Sequence, residues 1–344
     1  MVLKLLPKTK LSAGKIPSEV LMRCILGHLG APSERVLRGA AVGEDAPIID
    51  MGDHVLVVKA NPVTGAKKHI GRLAFHINAN DVAARGAKPL WFSVIIFLPE
   101  ASTEAQLKEI ICDIHNACLE LGVQLIGGHT ECVPKLRKPI VSGFMLGEAP
   151  KDKYITTGGA KPGDKIILTK SAGLEGTWIF AEDMKYKLKG KVDTVTLQIA
   201  RRMIDTMSVV PEALMAVKTG GIHSLHTPTE GGIINGLYEL AVAAEVGLHV
   251  EERFIPIAPE TSKICKALDV NPLKLLSSGA LLIAVDKSYA KKTLTSLTSI
   301  KVKSSLIGEI KPKEQGAYIT LSNGSKQMIE PVQQDELFRL LEKR

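Results

Sequence analysis

The feature that most constrains this chain is a break in its middle. Residues 147–163 are rich in Gly, Pro, Lys and Thr, and segments that read as strands and helices alternate on both sides of them. Clusters of such turn formers mark connections between periodic segments. The chain has 344 residues, enough for two ordinary domains. The break therefore predicts a boundary near residue 150, with one domain over 1–150 and a second over 151–344. Aromatic residues make up only 4% of the chain against 45% for all hydrophobic types. Val, Ile, Leu and Ala must do most of the packing, and they are abundant enough to offset chain entropy.

The first half reads as mixed α/β. Residues 17–29 carry Pro at the first turn, apolar Val20, Leu21, Ile25 and Leu29, and Gly30 as a stop, which predicts a helix. Residues 47–60 suggest a hairpin around Gly52-Asp53 with a strand over 55–59. A helix is expected over 70–84, a buried strand over 90–98, and a helix that starts at the Thr103/Gln106 capping box and ends near Leu121-Gly122. Strands are expected at 123–126 and 140–146. The second half begins with a strand at 164–169. Helices follow at 174–184, 193–206, 209–218, 231–246, 259–268 and 288–298, with strands at 247–252 and 280–285. Asn323-Gly324 is a two-residue hairpin turn between strands over 317–321 and 326–330. A short helix over 334–343 closes the chain.

Several classes of function lose ground on composition. No run reaches the ~18 apolar residues of a membrane span, and residues 1–10 are too short a hydrophobic stretch for a signal peptide. A soluble, cytoplasmic protein with no membrane partner is expected. The five cysteines, Cys24, Cys112, Cys118, Cys132 and Cys265, form no C-x-x-C pair and read as small core residues. The net charge of +8 raises nucleic acid as a partner. Its mild basic runs at 185–191 and 301–313 have no interleaved stacking aromatics, so solvated loops explain them, and no nucleic-acid partner is expected. Steering of small anions is a further use for such charge.

Four segments can carry chemistry. Gly43-Glu44-Asp45 places two carboxylates behind a glycine; it is either a polar turn or a seat for Mg²⁺, which wants oxygen ligands. His76, Asn78, Asn80 and Asp81 put four polar side chains into an apolar helix, where Asn and Asp are weak formers. Gly127-Gly128-His129-Thr130-Glu131 follows a strand; it is a common turn or a phosphate or metal loop. His226-Thr227-Pro228-Thr229-Glu230-Gly231-Gly232 leads into a helix, whose N-terminus either binds an anion or is capped by Thr229.

In this order, Gly-Glu-Asp-Ala, Asn-Ala-Asn-Asp-Val-Ala-Ala-Arg-Gly-Ala-Lys-Pro, Gly-Gly-His-Thr-Glu and Thr-Pro-Thr-Glu-Gly-Gly, the chain resembles the aminoimidazole ribonucleotide (AIR) synthetase superfamily, in the synthetase-related branch near the hydrogenase-maturation proteins. The resemblance runs from about residue 14 to 285. It implies a two-domain α/β (α+β) fold, a homodimer paired through the N-terminal sheets, and a C-terminal α/β domain. It also implies ATP and Mg²⁺ in a cleft between the domains. Asp45 and Asp81 would be the metal and phosphate carboxylates. Nucleotide contacts would come from Asp45, Asn61, Asn80, Asp81, Gly127, Gly128, His129, Thr130, Glu131, Thr227, Thr229, Gly231 and Gly232, with Ser278-Gly279 facing the cleft. The shared chemistry is attack of a substrate oxygen on the γ-phosphate, which works by positioning and charge neutralisation. The substrate and the catalytic residues are not legible.

Two departures follow from the comparison with that pattern. Asn61 and Thr227 stand where family members generally carry Asp, which removes negative charge from the metal cluster. The chain ends Leu341-Glu342-Lys343-Arg344 and its last cysteine is Cys265, so the terminal-cysteine chemistry of the hydrogenase-maturation enzyme is not expected. Two readings remain. One is an ATP-dependent enzyme that phosphorylates or dehydrates an oxygen of a small substrate. The other is a nucleotide-binding dimer that has lost catalysis and acts as a partner or regulator.

Overall fold

The structure is a computed structural model that describes Leu11 and residues 13–342; the opening stretch 1–10 and the last residue of the expected terminal helix lie outside the described residues. Six strands build the first sheet: β1 (Val36–Arg38), β2 (Ile48–Asp50), β3 (His54–Val63), β4 (Lys88–Pro99), β5 (Gln124–Val133) and β6 (Ile140–Pro150), in the order β1-β2-β3-β6-β4-β5. All pairs are antiparallel except β4 with β5, which the helix Glu104–Leu121 connects. A parallel pair needs such a crossover. That helix has the expected capping box, with Thr103 and Gln106 exchanging bonds, and ends on Gly122 in the left-handed region.

The alternation of these strands explains their packing. On β3, β4 and β6 every second residue is buried: Val55, Val57, Phe92, Val94, Ile96, Val141 and Met145. Helix Ile70–Ala83 covers that face with Leu73, Phe75 and Val82, and Glu104–Leu121 packs beside it with Ile110 and Ile114. The contact is close enough to require Gly143, where a Cβ would fall 2.6 Å from the Phe92 ring. The opposite face, with Trp91, Ile95, Phe97, Phe144 and Leu146, is only half-buried.

The second sheet has seven strands: β7 (Lys165–Thr169), β8 (Ile222–His226), β9 (Gly247–Glu251), β10 (Leu282–Val285), β11 (Ser304–Lys311), β12 (Ala317–Thr320) and β13 (Lys326–Met328), ordered β13-β12-β9-β11-β7-β10-β8. Both faces of its centre are covered. Ile166 and Leu168 join Ile233 and Leu237 of helix Gly232–Ala244, while Ile167 and Ile283 join the cluster that continues into the first half. Continuous apolar runs are what such doubly covered strands need. The last helix, Glu336–Glu342, turns back so that Phe338 lies against Gly14 and Leu337 against Gly65. The result is the two-sheet α/β architecture that the sequence implied. Among the described residues no helix is long and apolar enough to cross a membrane.

The structure corrects several local expectations. The first helix is only Ser18–Cys24. The basic run 185–191 contains the short helix Lys185–Leu188 with Leu188 buried. The basic run 301–313 is not a solvated loop, because it contains β11 between β9 and β7. There Ile307 and Ile310 are buried, and Glu309 is flanked by Lys165 at 2.6 Å and Lys311 at 2.8 Å. Of the cysteines only Cys118 and Cys265 are buried; Cys24, Cys112 and Cys132 are exposed, and all five are free.

Candidate functional site

The site starts from the pleat of β3. Val55, Val57 and Val63 point to the covered face, and Lys59 and Asn61 share their parity. The strand therefore turns a cation and an amide inward. They meet Asp81 in the last turn of the helix Ile70–Ala83, 2% exposed. Asp81 Oδ2 accepts from Lys59 Nζ at 2.8 Å and from Asn61 Nδ2 at 3.0 Å. Oδ1 accepts the Thr227 hydroxyl at 2.6 Å from the loop after β8. Burial, reinforced by nearby Asp45, holds the Asp81 carboxyl above its ordinary range despite Lys59 and Thr227.

Asp45 lies just before β2 and is also buried. The turn that delivers it needs Gly43: φ is +83°, and a Cβ there would sit 2.6 Å from the Glu239 carbonyl. Asp45 Oδ2 accepts from Arg85 Nη2 at 3.1 Å and from the Thr227 amide at 3.3 Å. His226 Nδ1 stands 3.0 Å from Oδ1, paired by charge but outside hydrogen-bond geometry. Burial raises the Asp45 carboxyl, but His226, Arg85 and Lys59 outweigh it and hold it well below the carboxylate range. Burial likewise opposes the charge on His226, yet Asp45 and Glu239 raise it to about 9. Glu239 is lowered to about 2, because Lys15 and His226 overcome its burial. Arg85 is fully buried and also reaches Glu44, Thr157 Oγ1 and the Leu225 carbonyl, the last two at 2.8 Å.

Asp45, Lys59, Asn61, Asp81, His226, Thr227 and Glu239 line a cleft of about 550 Å³ between the two halves. Asp45, Lys59, Asn61 and Asp81 form one wall, and Glu175, His226, Thr227, Thr229, Glu230 and Ser278 the other. The segment around Lys15 also lines it, with Lys15 Nζ 2.6 Å from Glu239. Burial pushes the Glu175 carboxyl up to about 7, with Glu230 adding to the shift and Ser278 opposing it.

The structure thus brings Asp45, Asn61, Asp81, Thr227, Thr229 and Ser278 together, and leaves the other expected contacts elsewhere. Asn80 is spent on bracing the second half: its Nδ2 donates to the Met207 carbonyl at 2.8 Å and its Oδ1 accepts the Val209 amide at 2.7 Å. The helix N-terminus at Gly231-Gly232 is already occupied by an internal carboxyl group. Gly231 N donates to Asp335 Oδ2 at 2.7 Å, and a Cβ on Gly232 would fall 2.5 Å from the Leu273 carbonyl. These glycines serve close packing and an intramolecular cap. Residues 127–131 are not a loop after a strand but the middle of β5, exposed at the sheet edge opposite β1 and β2. Gly127, Gly128, His129, Thr130 and Glu131 therefore do not reach the cleft within one chain. His129 and Glu131 face each other at 3.4 Å.

Sequence reasoning gave no role to Lys59, Arg85, Lys15 or Glu239. For Lys59 the signal existed: it interrupts the core-facing parity Val55, Val57, Val63. The donor set does not fit a divalent ion at Asp45 and Asp81. Lys59 stands against Asp81 Oδ2, Arg85 against Asp45 Oδ2 and His226 against Asp45 Oδ1, so a divalent ion there would meet fixed positive charge on every side.

Comparison with known proteins adds the family. The model described as AIR synthase related protein, N-terminal domain, matches residues 43–149, and the corresponding C-terminal domain model matches residues 161–320. A Methanocaldococcus jannaschii protein with a hydrogenase expression/formation name is 28% identical over 292 residues, covering 82% of this chain and 83% of that one. The carbamoyl dehydratase HypE of Rhodobacter capsulatus is 28% identical over 238 residues, 69% of this chain and 67% of its own. Among solved structures, the hydrogenase maturation protein HypE in complex with ATP superposes with a TM-score of 0.73 at 24% identity, covering 95% and 98% of the two chains. AaThiL complexed with AMPPCP and TMP superposes at 0.72 with 18% identity, covering 93% and 98%. These structural likenesses concern the fold.

Proposed function

This chain belongs to the AIR synthase related protein family, and from that membership we propose that it binds ATP in the cleft between its two sheets and uses the γ-phosphoryl group to phosphorylate or dehydrate an oxygen of a small substrate. The domains of this reading are residues 1–150 and 151–344. The observation that carries it is the convergence of Asp45, Asp81, Thr227 and Thr229, from separate segments, on one cleft of about 550 Å³. Similar folds hold ATP in one solved structure and AMPPCP in another, and the Rhodobacter relative is a carbamoyl dehydratase. Within the cleft, Lys15 and Lys59 supply positive charge for phosphate, and Thr229 and Ser278 supply hydroxyl donors. Glu175, raised to about 7, is suited to take the proton of the attacking oxygen, because a general base works best near the ambient pH.

The same reading includes a homodimer. The half-buried apolar face with Trp91, Ile95, Phe97, Phe144 and Leu146 gains from being covered by a second copy. Pairing there would carry the exposed residues 127–131 toward the partner. Light scattering at micromolar concentration tests this, and a monomer removes it.

Calorimetric titration with ATP followed by a phosphate-release assay tests the main reading. Saturable binding with release in the presence of the right acceptor supports the enzyme. Absence of ATP binding overturns the whole reading. Binding without release under any acceptor favours the alternative, a nucleotide-binding partner protein, for which the already satisfied carboxylates of Asp45 and Asp81 speak.

A further inference from the structure

We propose that Lys59 is the built-in cation of this site, and that its ammonium does the charge neutralisation for which a divalent ion would otherwise be recruited, so that phosphate-bearing ligands bind here without Mg²⁺. The inference rests on the ATP-binding reading and deepens it. Lys59 Nζ lies 2.8 Å from Asp81 Oδ2 and 2.5 Å from the Asp45 carbonyl oxygen. Oxygens of both candidate metal residues thus converge on one nitrogen. The β3 parity fixes the side chain against the core, and only 18% of it is exposed.

The neighbours are oriented for an ammonium and not for a metal. A metal ligand at Asn61 would turn its carbonyl oxygen to the ion, but Asp81 Oδ2 is an acceptor and takes the Asn61 amide nitrogen. Thr227 gives its one hydroxyl proton to Asp81 Oδ1. A divalent ion at these oxygens would have to displace Lys59 or sit against its charge, and Mg²⁺ gives up its own waters reluctantly. An ammonium has three donors. Two serve Asp81 and Asp45, which leaves one for a phosphate oxygen in the cleft that Lys59 lines.

The test uses the full chain stripped with chelator. ATP is titrated by calorimetry with chelator or with Mg²⁺, and Mn²⁺ alone is titrated by electron paramagnetic resonance. For the unaltered protein, ATP affinity in the two conditions agrees within about twofold, and no Mn²⁺ uptake depends on Asp81. Lys59→Met keeps the stem and removes the charge. It gains Mn²⁺ uptake, and its ATP binding comes to depend on Mg²⁺ by about tenfold or more, since net ligand charge sets affinity for hard cations. Lys59→Met with Asp81→Asn loses that uptake, which separates it from ion binding at the Asp164, His223 and Asp286 group, to which Asp81 does not belong. Uptake of Mn²⁺ by the unaltered protein that Asp81→Asn abolishes overturns the proposal, and so does a Lys59→Met variant that gains none. If that variant does not fold, the Asp81-dependent uptake of the unaltered protein still decides. If no form binds ATP, the ATP reading fails, while the Mn²⁺ titrations still report on Lys59.

Discussion

The Thr227 hydroxyl donates to Asp81 Oδ1 across 2.6 Å, joining the loop after β8 to the helix Ile70–Ala83 of the other half. Both groups are buried, at 4% and 2% exposure. Thr227→Val keeps the shape and removes the donor. An unsatisfied buried oxygen costs about 1–3 kcal/mol, and urea denaturation of the variant is expected to show a loss in that range. A change below a few tenths would mean that water replaces the hydroxyl without strain.

Arg85 is the larger lever. It is fully buried and bridges Glu44 and Asp45 of the first half to Leu225 of the second. Arg85→Met leaves the two carboxylates without their guanidinium partner, and breaking such a buried pair costs about 3–5 kcal/mol. The expected outcome is a strongly lowered midpoint or an insoluble variant. Arg85→Lys is expected to recover only part of the loss, because one ammonium cannot reproduce the fork.

His76 gives a pH signature. Its ring nitrogens have no hydrogen-bond partner, and Glu120 stands 3.7 Å from Nε2, too far for one. Burial above all, then Arg72 and Lys170, lowers its pKa from 6.5 to about 3. The unfolded chain takes up this proton below pH 6.5 and the folded chain does not until about 3. Stability from this group is therefore lost as pH falls through that window, by roughly 1.4 kcal/mol per unit. His76→Gln should flatten the slope by that amount below about pH 5.5, where the unfolded imidazole is almost fully charged and the folded one is still neutral, relative to the unaltered protein. Equal slopes would place a bound proton on His76 in the folded state.

How much was legible depended on distance along the chain. The Thr103/Gln106 capping box is local and stands as read. The Asn323-Gly324 turn is local too and does join two paired strands, but Thr320 pairs with Lys326 and the Leu321 amide donates to the Ser325 carbonyl, so its loop is the three residues 322–324 and not two. Asp45 and Asp81 were legible because carboxylates amid apolar residues are costly to bury. Their partners were not: Lys15 pairs with Glu239 across 224 positions and Arg85 reaches Leu225 across 140, and nothing in either segment marks the other. β11 was missed because its flanking lysines resemble a solvated run, while the charge of Glu309 is balanced sideways by Lys165 and Lys311. The glycines at 231 and 232 misled for a related reason. A carboxyl group does occupy that helix end, but it is the chain's own Asp335.

The last prediction concerns the two positions that depart from the family pattern. Asn61 and Thr227 both touch Asp81, and Thr227 also touches Asp45. Asn61→Asp combined with Thr227→Asp adds two carboxylates to a cluster in which Lys59 is the cation between Asp81 and Asp45. Without metal, one ammonium cannot neutralise the added charge. Repulsion among converging carboxylates is relieved only by taking up protons, so the melting temperature in chelator should fall. A divalent ion now finds acidic oxygens that Lys59 does not satisfy, and a ligand that binds only the folded state stabilises it by mass action. Adding Mg²⁺ with ATP should therefore raise the melting temperature of the double variant more than that of the unaltered protein. The diagnostic is the larger gain on adding Mg²⁺ with ATP, which a general packing defect that leaves ligand affinity unchanged does not produce. If melting moves the same way with and without metal, the added carboxylates do not share an ion with Asp45 and Asp81, and the neutral residues at 61 and 227 have some cause other than the loss of a metal site.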